Sequence, residues 1–345
     1  MADILLGGIE GGGTVSTISL FNGEGKKLSE FTGVGTNYLS LGMDVVHDRI
    51  NDLVVQAKKL ANVPEDKTLT ALGLSLSGCE DVEANKIFEI KLRKKHPSLS
   101  KEYYVCSDTV GPIAVAHRNG GAVVISGTGS NTLLVNPDGS EVRCGGWGGL
   151  LGDEGSAYWI AHRAIKICFD DRDRFKAPPM GYSSDYVWSA AKSFFNVQTM
   201  FDFLSVFYEN YNKARIASFC KVLSEGALEG DELCKLLFEE AGQDLARAIQ
   251  AVAEGASKDL LHSEGGLPVV CVGSVWKSWN LLKDGFVKQL EGSADRFKIE
   301  ELSLLKLTVS VSTGATYLAA KAINYNLPRD YTQNYNVFFH YKCPN

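Results

Sequence analysis

Two glycine-rich turns, each carrying a threonine, are the segments of this chain best suited to bind phosphate. The first, GGGT at residues 11–14, follows a short apolar run, and the second, GTG at 127–129, follows the apolar run 122–125. Consecutive backbone N–H groups in such a turn can hold an anion, and the threonine hydroxyl adds a donor. A plain hairpin is the alternative, but three consecutive glycines favour an anion site.

The two turns belong to a longer internal repeat. A shift of 114 positions aligns six identical residues without a gap, among them both glycine–threonine pairs. The identities are Gly13 with Gly127, Thr14 with Thr128, Ser16 with Ser130, Leu20 with Leu134, Asn22 with Asn136 and Gly25 with Gly139. We therefore expect two related halves, whose turns would grip a polyphosphate from both sides.

The stretch GGWGGLLGDEGSAYWIA at residues 145–161 has the composition of a ligand wall. Six glycines fall within its first eleven residues, together with Trp147 and the acidic pair Asp153 and Glu154. Glycines let another molecule approach the backbone closely. The acidic pair could instead cap the helix predicted from Ser156, because carboxylates complement a helix N-terminus. Capping explains one carboxylate but not six glycines, so we interpret the stretch as a wall against a polar small molecule.

Asp108 is the carboxylate whose position best suits catalysis. It follows the short strand candidate 103–106, and strand candidates alternate with helix candidates at 41–61 and 84–95. This alternation indicates an α/β fold, in which ligands gather at the carboxyl ends of strands. We expect Asp108 at such an end, where a general base would stand. A turn or cap role is the structural alternative.

A third glycine, Gly273, follows the buried strand candidate 266–272, and Ser274 then opens a predicted helix. A strand that delivers a glycine to a helix N-terminus is a common position for a nucleotide. The chain has no GxxxxGK followed by Ser or Thr, and no GxGxxG that opens a helix after a strand. The P-loop and dinucleotide-binding folds therefore lose support.

The composition narrows the class of protein. The chain has 345 residues, enough for two domains, with 45% hydrophobic residues and a net charge of −6, which argues against a nucleic-acid partner. Its mean hydropathy is −0.06, and no apolar run approaches the length of a membrane span. The N-terminus lacks the pattern of a signal peptide. Eight cysteines form no CxxC pair, so we expect reduced thiols in the cytoplasm and no zinc site.

Several of these segments together resemble the N-acetylglucosamine kinases, a family within the actin, sugar-kinase and heat-shock-chaperone superfold. The matching segments cover nearly the whole chain and occur in the same order as in the family. The two longest segments are specific to this family. The segments are GGIEGGGT at 7–14, GTN at 35–37, LGLSLSG at 72–78, SDTVG at 107–111, ISGTGSN at 125–131, CGGWGGLLGDEGSAYWIAHRA at 144–164 and LPVVCVGSVWKSWNLLKDGF at 267–286.

The resemblance implies an α/β, two-domain, actin-like (ribonuclease H-like) ATPase fold with duplicated halves and a cleft between them. An N-terminal actin-like domain is expected over residues 1–118, and a larger C-terminal α/β domain over 119–345. The last helix is expected to pack back on the N-terminal domain. The tail 331–345 is polar and aromatic, and its pattern predicts no element.

The resemblance also assigns site residues. The ATP side is expected to comprise Gly13, Thr14, Gly127, Thr128, Ala217, Gly273 and Ser274. The sugar side is expected to comprise Asn37, Asp108, Ser130, Asn131, Gly146, Trp147, Gly148 and Asp153. Many relatives carry Asp where this chain has Glu10, which leaves open whether Glu10 contacts magnesium directly or through water.

The activity implied is an ATP-dependent transfer of phosphate to the 6-hydroxyl of N-acetyl-D-glucosamine, with Asp108 as the catalytic base. ATP would enter with Mg²⁺ held mainly by its phosphates, and the expected products are ADP and N-acetylglucosamine 6-phosphate, in amino-sugar salvage. The resemblance further implies a cytoplasmic homodimer. Two alternatives stay open at this point: an actin-like ATPase that activates a partner protein, and a non-catalytic sugar sensor.

Overall fold

The computed structural model describes residues 4–117, 119–292 and 297–344. The strands are β1 (Leu5–Gly11), β2 (Val15–Asn22), β3 (Lys27–Val34), β4 (Leu69–Leu76), β5 (Ser100–Ser107), β6 (Gly121–Ser126), β7 (Ser130–Val135), β8 (Glu141–Gly145), β9 (Leu267–Val272), β10 (Glu301–Leu307) and β11 (Tyr335–Lys342). The α-helices are α1 (Tyr38–Leu41), α2 (Met43–Leu60), α3 (Val82–Lys95), α4 (Val110–Ala116), α5 (Ala157–Arg172), α6 (Asp185–Phe195), α7 (Asp202–Leu204), α8 (Lys213–Glu229), α9 (Glu232–Ala253), α10 (Lys258–Leu261), α11 (Trp279–Gly292) and α12 (Ser312–Ala322).

The first sheet has the strand order β3-β2-β1-β4-β5. Strand β1 pairs antiparallel with β2 and parallel with β4, and β4 pairs parallel with β5. The three parallel strands therefore end at one edge of the sheet, where the segments that follow them can meet. The predicted α/β fold is confirmed, and this carboxyl edge is where an α/β fold of this kind places ligands.

The second sheet has the order β11-β10-β9-β6-β7-β8. In the direction β8-β7-β6-β9-β10 it repeats the order β3-β2-β1-β4-β5 of the first sheet. Strand β6 is parallel to β9, and β7 is antiparallel to β8, as in the corresponding strands of the first sheet. Strand β11 extends the sheet with residues of the tail to which the sequence pattern assigned no element.

The internal repeat is confirmed in the turns as well as in the strand order. After β2, Asn22 N–H donates to the Lys26 carbonyl at 3.1 Å and Gly25 N–H to the Asn22 carbonyl at 3.1 Å. After β7, the pairs shifted by 114 positions make the same two bonds at 2.9 Å each, from Asn136 to Ser140 and from Gly139 to Asn136. Both glycines have positive φ, +80° and +86°, which explains why glycine occupies both positions.

The chain forms two compact units. One comprises the residues up to Gly121 together with Leu304–Phe339, and the other comprises Ala122–Ser303 with the residues from His340. In the first unit, α12 packs on β1 and β4. The predicted domain boundary between residues 118 and 119 stays a prediction, and residue 118 lies outside the described residues. Within the described ranges, no helix combines the length and the apolar character that crossing a membrane requires.

The core of the first unit contains a histidine without a hydrogen-bond partner. His47 lies on the buried face of α2 and is fully buried, with its ring centroid 4.5 Å from that of Phe88 in an edge contact. Neither ring nitrogen has a partner among the residues that the structure describes. Burial lowers the pKa of His47 below its ordinary value, because the charged imidazolium would lose its hydration.

We expect His47 to make the protein sensitive to acid. In the unfolded chain the imidazole protonates near pH 6.5, whereas the folded state resists protonation until a lower pH. The unfolded state therefore binds more protons below about pH 6.5, and stability falls as the pH drops through that window. His47→Leu is expected to reduce the difference in urea midpoint between about pH 7.5 and about pH 5.5. The exposed His262 provides the control, His262→Leu, and an unchanged pH dependence in His47→Leu would contradict the assignment.

Candidate active site

Two carboxylates stand at the carboxyl edge of the first sheet. Glu10 is the penultimate residue of β1 and is in register with Ser75 of β4. Asp108 directly follows β5, and its N–H donates to the Leu76 carbonyl at 3.2 Å, at the end of β4. Asp108 thus lies where the sequence pattern placed it. The parallel arrangement of β1, β4 and β5 brings both carboxylates to the same edge.

The two carboxylates interact electrostatically. Burial, and to a smaller extent the negative charge of Asp108, raises the pKa of Glu10 to about 7. This is the behaviour expected of neighbouring carboxyl groups that cannot both ionise freely. A divalent cation, or a positively charged group on a ligand, would relieve the repulsion. Within the described residues, no group of three or more His, Cys, Asp or Glu side chains is placed to form a complete metal cage.

The first glycine–threonine turn is held from behind by a buried pair of hydroxyls. Thr36 Oγ1 lies 2.8 Å from Ser16 Oγ, and a Cβ atom at Gly11 would come within 2.0 Å of Thr36 Oγ1. The Thr36 N–H also donates to the Gly12 carbonyl at 3.1 Å. The supported turn leaves Gly13 and Thr14 exposed at its tip, a position that a phosphate could reach.

Asn37 lies beside the end of β4. Its side-chain oxygen caps α1 by accepting from the Leu39 N–H at 3.0 Å, and its Nδ2 donates to Ser77 Oγ at 3.1 Å. The amide is therefore fixed in orientation at the carboxyl edge. In the first unit, the structure brings Asn37 and Asp108 to one edge of the sheet, and their sharing of a site stays a prediction.

The second glycine–threonine turn is anchored to the start of α5. The Ala157 N–H donates to the Gly127 carbonyl at 2.9 Å, and the Tyr158 N–H donates to the Thr128 carbonyl at 3.3 Å. These are helix-terminal donors that have no partner within their own helix. The turn therefore has a fixed position relative to α5, although its sequence alone would allow many conformations.

Gly273 lies directly beside this turn, because β6 and β9 are parallel neighbours. Its φ is +109°, and a Cβ atom there would be 2.1 Å from the Ser126 carbonyl oxygen, so only glycine fits. Ser274 begins a 3₁₀ turn over Ser274–Ser278, and the α-helix α11 starts only at Trp279. A helix therefore starts at Ser274 as predicted, with its first turn in the 3₁₀ form. Ala217 is buried on α8, and its place beside an adenosine stays a prediction.

Asp153 is the most constrained carboxylate of the second unit. It is 2% exposed and has a φ of +69°, which is unusual for a residue other than glycine. Its Oδ1 accepts from the Ser130 N–H at 3.1 Å, and its Oδ2 lies 2.5 Å from Lys213 Nζ. Helix α5 is capped by Ser156, whose side chain accepts from the Trp159 N–H. The interpretation of Asp153 as the helix cap is therefore wrong.

The glycine-rich stretch around Trp147 borders Asn131. Asn131 is buried, and its side-chain oxygen accepts from Arg143 Nε at 3.3 Å. Gly146 has a φ of +80°, and a Cβ atom there would be 2.7 Å from that same oxygen. Trp147 is 68% exposed and Gly148 follows with a φ of +79°. An exposed aromatic ring near an oriented amide is typical of carbohydrate-binding sites, because sugars have polar edges and apolar faces.

Two residues at this site were not predicted from the sequence. Lys213 contacts Asp153 from a helix 60 positions further along the chain, and Arg143 orients Asn131 from the neighbouring strand. The guanidinium of Arg143 also lies 5.9 Å from the Trp147 ring centroid. The sequence did contain a signal for Lys213. It is a lysine directly after the capping residue Asn212, and a positive charge at a helix N-terminus is repelled by the helix macrodipole. Such a lysine suggests a role outside its own helix.

Comparison with known proteins finds one matching family and several similar kinases. The profile of the BadF/BadG/BcrA/BcrD ATPase family matches residues 8–301. The N-acetylmuramic acid/N-acetylglucosamine kinase of Clostridium acetobutylicum is 27% identical over 298 residues, which cover 85% of this chain and 92% of that protein. The N-acetyl-D-glucosamine kinase of Dictyostelium discoideum is 25% identical over 322 residues, covering 90% and 96%.

A solved structure from Chromobacterium violaceum has the same fold. That protein, provisionally named an N-acetylglucosamine kinase, superimposes with a TM-score of 0.70 at 23% identity, over 92% of this chain and 99% of its own. The duplicated α/β architecture predicted from the sequence is therefore a known one. Both the threonine-bearing turns and the residues around Asp153 lie within the matched range 8–301.

Proposed function

Because the chain belongs to the BadF/BadG/BcrA/BcrD ATPase family, we propose that it is an ATP-dependent kinase of N-acetyl-D-glucosamine. It transfers the terminal phosphate of ATP to the 6-hydroxyl, and ADP and N-acetylglucosamine 6-phosphate are the products. The observation that carries the proposal is the position of Asp108 at the same sheet edge as Glu10 and the Gly13–Thr14 turn. The names of the relatives support the choice of an amino sugar.

Asp108 is the catalytic base in this proposal. A sugar hydroxyl is a weak nucleophile, and phosphoryl transfer is accelerated mainly by alignment and charge stabilisation. The carboxylate of Asp108 accepts the proton of the 6-hydroxyl while the oxygen of that hydroxyl bonds to the terminal phosphorus of ATP. The bond from that phosphorus to the ADP oxygen breaks at the same time.

The glycine-rich turns bind the nucleotide in this proposal. Their backbone N–H groups and threonine hydroxyls donate to the phosphates, and the segment after β9 receives the adenosine. The residues assigned are Gly13, Thr14, Gly127, Thr128, Ala217, Gly273 and Ser274. The position of Gly273 directly beside Gly127 of the second turn supports this assignment. Of the two turns, the first is the more exposed.

The sugar is bound by polar groups that the fold already orients. In the first unit, the residues assigned to the sugar are Asn37 and Asp108. The residues assigned in the second unit are Ser130, Asn131, Gly146, Trp147, Gly148 and Asp153. The support comes from their fixed geometry: Asn131 is oriented by Arg143, and Asp153 by Ser130 and Lys213. Groups that are fixed before the ligand arrives lose little entropy on binding.

The residues present fit a magnesium ion that enters with ATP. Hard oxygen ligands and few protein contacts are typical of Mg²⁺ at phosphate sites, and the first unit offers the paired carboxylates Glu10 and Asp108. Glu10 is the residue proposed to contact the ion, directly or through water. When bound, Mg²⁺ would neutralise charge on the phosphates. A cytoplasmic location and a homodimer stay predictions of the family resemblance.

A coupled assay of ADP release tests the proposal. Purified protein with ATP and Mg²⁺ is expected to release ADP only when N-acetylglucosamine is added, and phosphorus–proton coupling in NMR spectra of the product should place the phosphate on the 6-oxygen. Equal ADP release without sugar would favour an ATPase that acts on a partner. Calorimetric binding of the sugar without turnover would favour a sensor. A panel of hexoses and amino sugars in the same assay measures the specificity.

A further inference from the structure

We propose that Lys213 is a positioning residue that holds Asp153, and through it the Ser130 amide, in the geometry that binds the amino sugar. This inference rests on the proposed function. Asp153 connects Lys213 with Ser130: its Oδ1 accepts from the Ser130 N–H at 3.1 Å and its Oδ2 lies 2.5 Å from Lys213 Nζ. The three groups form one chain of charge-assisted contacts within the second unit, which no sequence motif links.

The position of Lys213 is not explained by the stability of its own helix. Lys213 is the first residue of α8, directly after the capping residue Asn212, whose side chain accepts from the Arg215 N–H. A cation in the first turn opposes the helix macrodipole. A lysine there is locally unfavourable, and its ammonium group pairs with the carboxylate of Asp153 outside α8.

The carboxylate needs this counter-charge because it is almost completely buried. The Asp153 side chain is 3% exposed, against 33% for Lys213. Gly129 packs against it so closely that a Cβ atom at Gly129 would come within 2.7 Å of Asp153 Oδ1. A buried carboxylate that loses its cationic partner is strongly disfavoured. The Asp153 loop would then be expected to move away from the turn that carries Ser130.

The lysine is itself held in place from a second side. Its Nζ lies 5.7 Å from the ring centroid of Tyr158 on α5. The Tyr158 ring in turn packs on Gly149, where a Cβ atom would come within 2.5 Å of the ring. A lysine that points at both Asp153 and the Tyr158 ring has a narrow range of orientations. Through Lys213, the helices α5 and α8 therefore fix the position of Asp153 in the glycine-rich stretch.

Lone-pair positions of Asp153 remain for a ligand. An ionised carboxylate has about four such positions; the Ser130 N–H occupies one on Oδ1, and Lys213 pairs with Oδ2 by charge without a hydrogen bond among the described residues. The remaining positions can accept hydroxyl groups of the sugar. Lys213 does not touch the sugar in this account. Its contribution is the orientation of Asp153 and Ser130, so its loss should weaken sugar binding more than turnover or nucleotide binding.

The test is the kinetics of Lys213→Met with a matched control on the same helix. We expect the KM for N-acetylglucosamine to rise about 10- to 100-fold, the KM for ATP to stay within about twofold, and kcat to change less than the sugar KM. Lys213→Arg, which keeps the charge, should recover most of the loss. Lys221→Met replaces an exposed lysine of α8 and should behave as the wild type. Calorimetric titration with the sugar alone should show the same order.

Two results would overturn the inference: an unchanged sugar KM in folded Lys213→Met, or a rise confined to the KM for ATP, which would assign the ammonium to the nucleotide. If Lys213→Met is insoluble, Lys213→Gln, which keeps a donor without the charge, is expected to raise the sugar KM in the same way. A wild-type protein without sugar-dependent ADP release would refute the proposed function alone. The calorimetric comparison would still test Lys213.

Discussion

Asp108→Asn is expected to lower kcat for phosphorylation of N-acetylglucosamine by about 100- to 10,000-fold, the range typical of a lost general base. The change keeps the size of the side chain but removes its ability to accept a proton. Its backbone contact with Leu76, at 3.2 Å, does not depend on the carboxylate. The fold and the calorimetric affinity for the sugar should therefore be largely retained. Steady-state ADP release with saturating substrates measures the effect.

A second measurement on Asp108→Asn is independent of turnover. The charge of Asp108 is one of the two causes that raise the pKa of Glu10 to about 7. Its removal is expected to lower that pKa, and carbon NMR of labelled glutamate can follow it. Asp66→Asn changes an exposed aspartate of the same unit and should leave both readouts unchanged. Turnover of folded Asp108→Asn within about tenfold of wild type would exclude Asp108 as the base.

Gly73→Ala is expected to destabilise the first unit by about 3 kcal/mol, at the upper end for overpacking. Gly73 of β4 is the register partner of Gly8 of β1, and together they form a flat seat for α12. A Cβ atom at Gly73 would be 1.9 Å from the Ala315 carbonyl oxygen, and one at Gly8 would be 2.2 Å from the Ser312 carbonyl oxygen. The clashing atoms belong to the helix backbone, so no side-chain rotation relieves them.

Urea unfolding and soluble yield measure the destabilisation. Gly8→Ala is expected to act similarly, and the double variant should cost less than the sum, because either change alone already displaces the same helix. Gly292→Ala is the control: beyond its chain neighbours and its own helix backbone, none of the described residues has an atom within 4 Å of the added Cβ, and its effect should stay within about 0.5 kcal/mol. An unfolding midpoint of Gly73→Ala equal to that of the control would mean that α12 does not rest on this seat as described.

The positions of the turns and of Asp108 could be predicted because local chemistry determines them. The glycine–threonine turns lie between paired strands, and Asp108 follows β5 as the alternation of elements indicated. The repeat at 114 residues was visible in identities alone, since both halves use the same turn with the same positive-φ glycine. Such features depend on backbone conformation over a few residues, which the residue types themselves restrict.

The cap of α5 and the start of α11 show the limit of local patterns. Asp153 and Ser156 both lie where an N-cap is plausible, and the structure uses Ser156. At Ser274 a helix start is locally acceptable, but a 3₁₀ turn precedes α11. In each case neighbouring residues have similar local energies. The choice then depends on contacts with other elements, such as the Ser130 amide that takes up the Asp153 carboxylate.

The sequence by itself determined the α/β class, the duplicated halves, the two threonine-bearing turns and the strand-end position of Asp108. Only the tertiary structure decided that α12 rests on Gly8 and Gly73 and that β11 extends the second sheet. It also decided that Lys213 neutralises Asp153. These contacts join residues far apart in the chain. Their energy comes from burial and from charge pairing in space, and no pattern of neighbouring residues encodes either one.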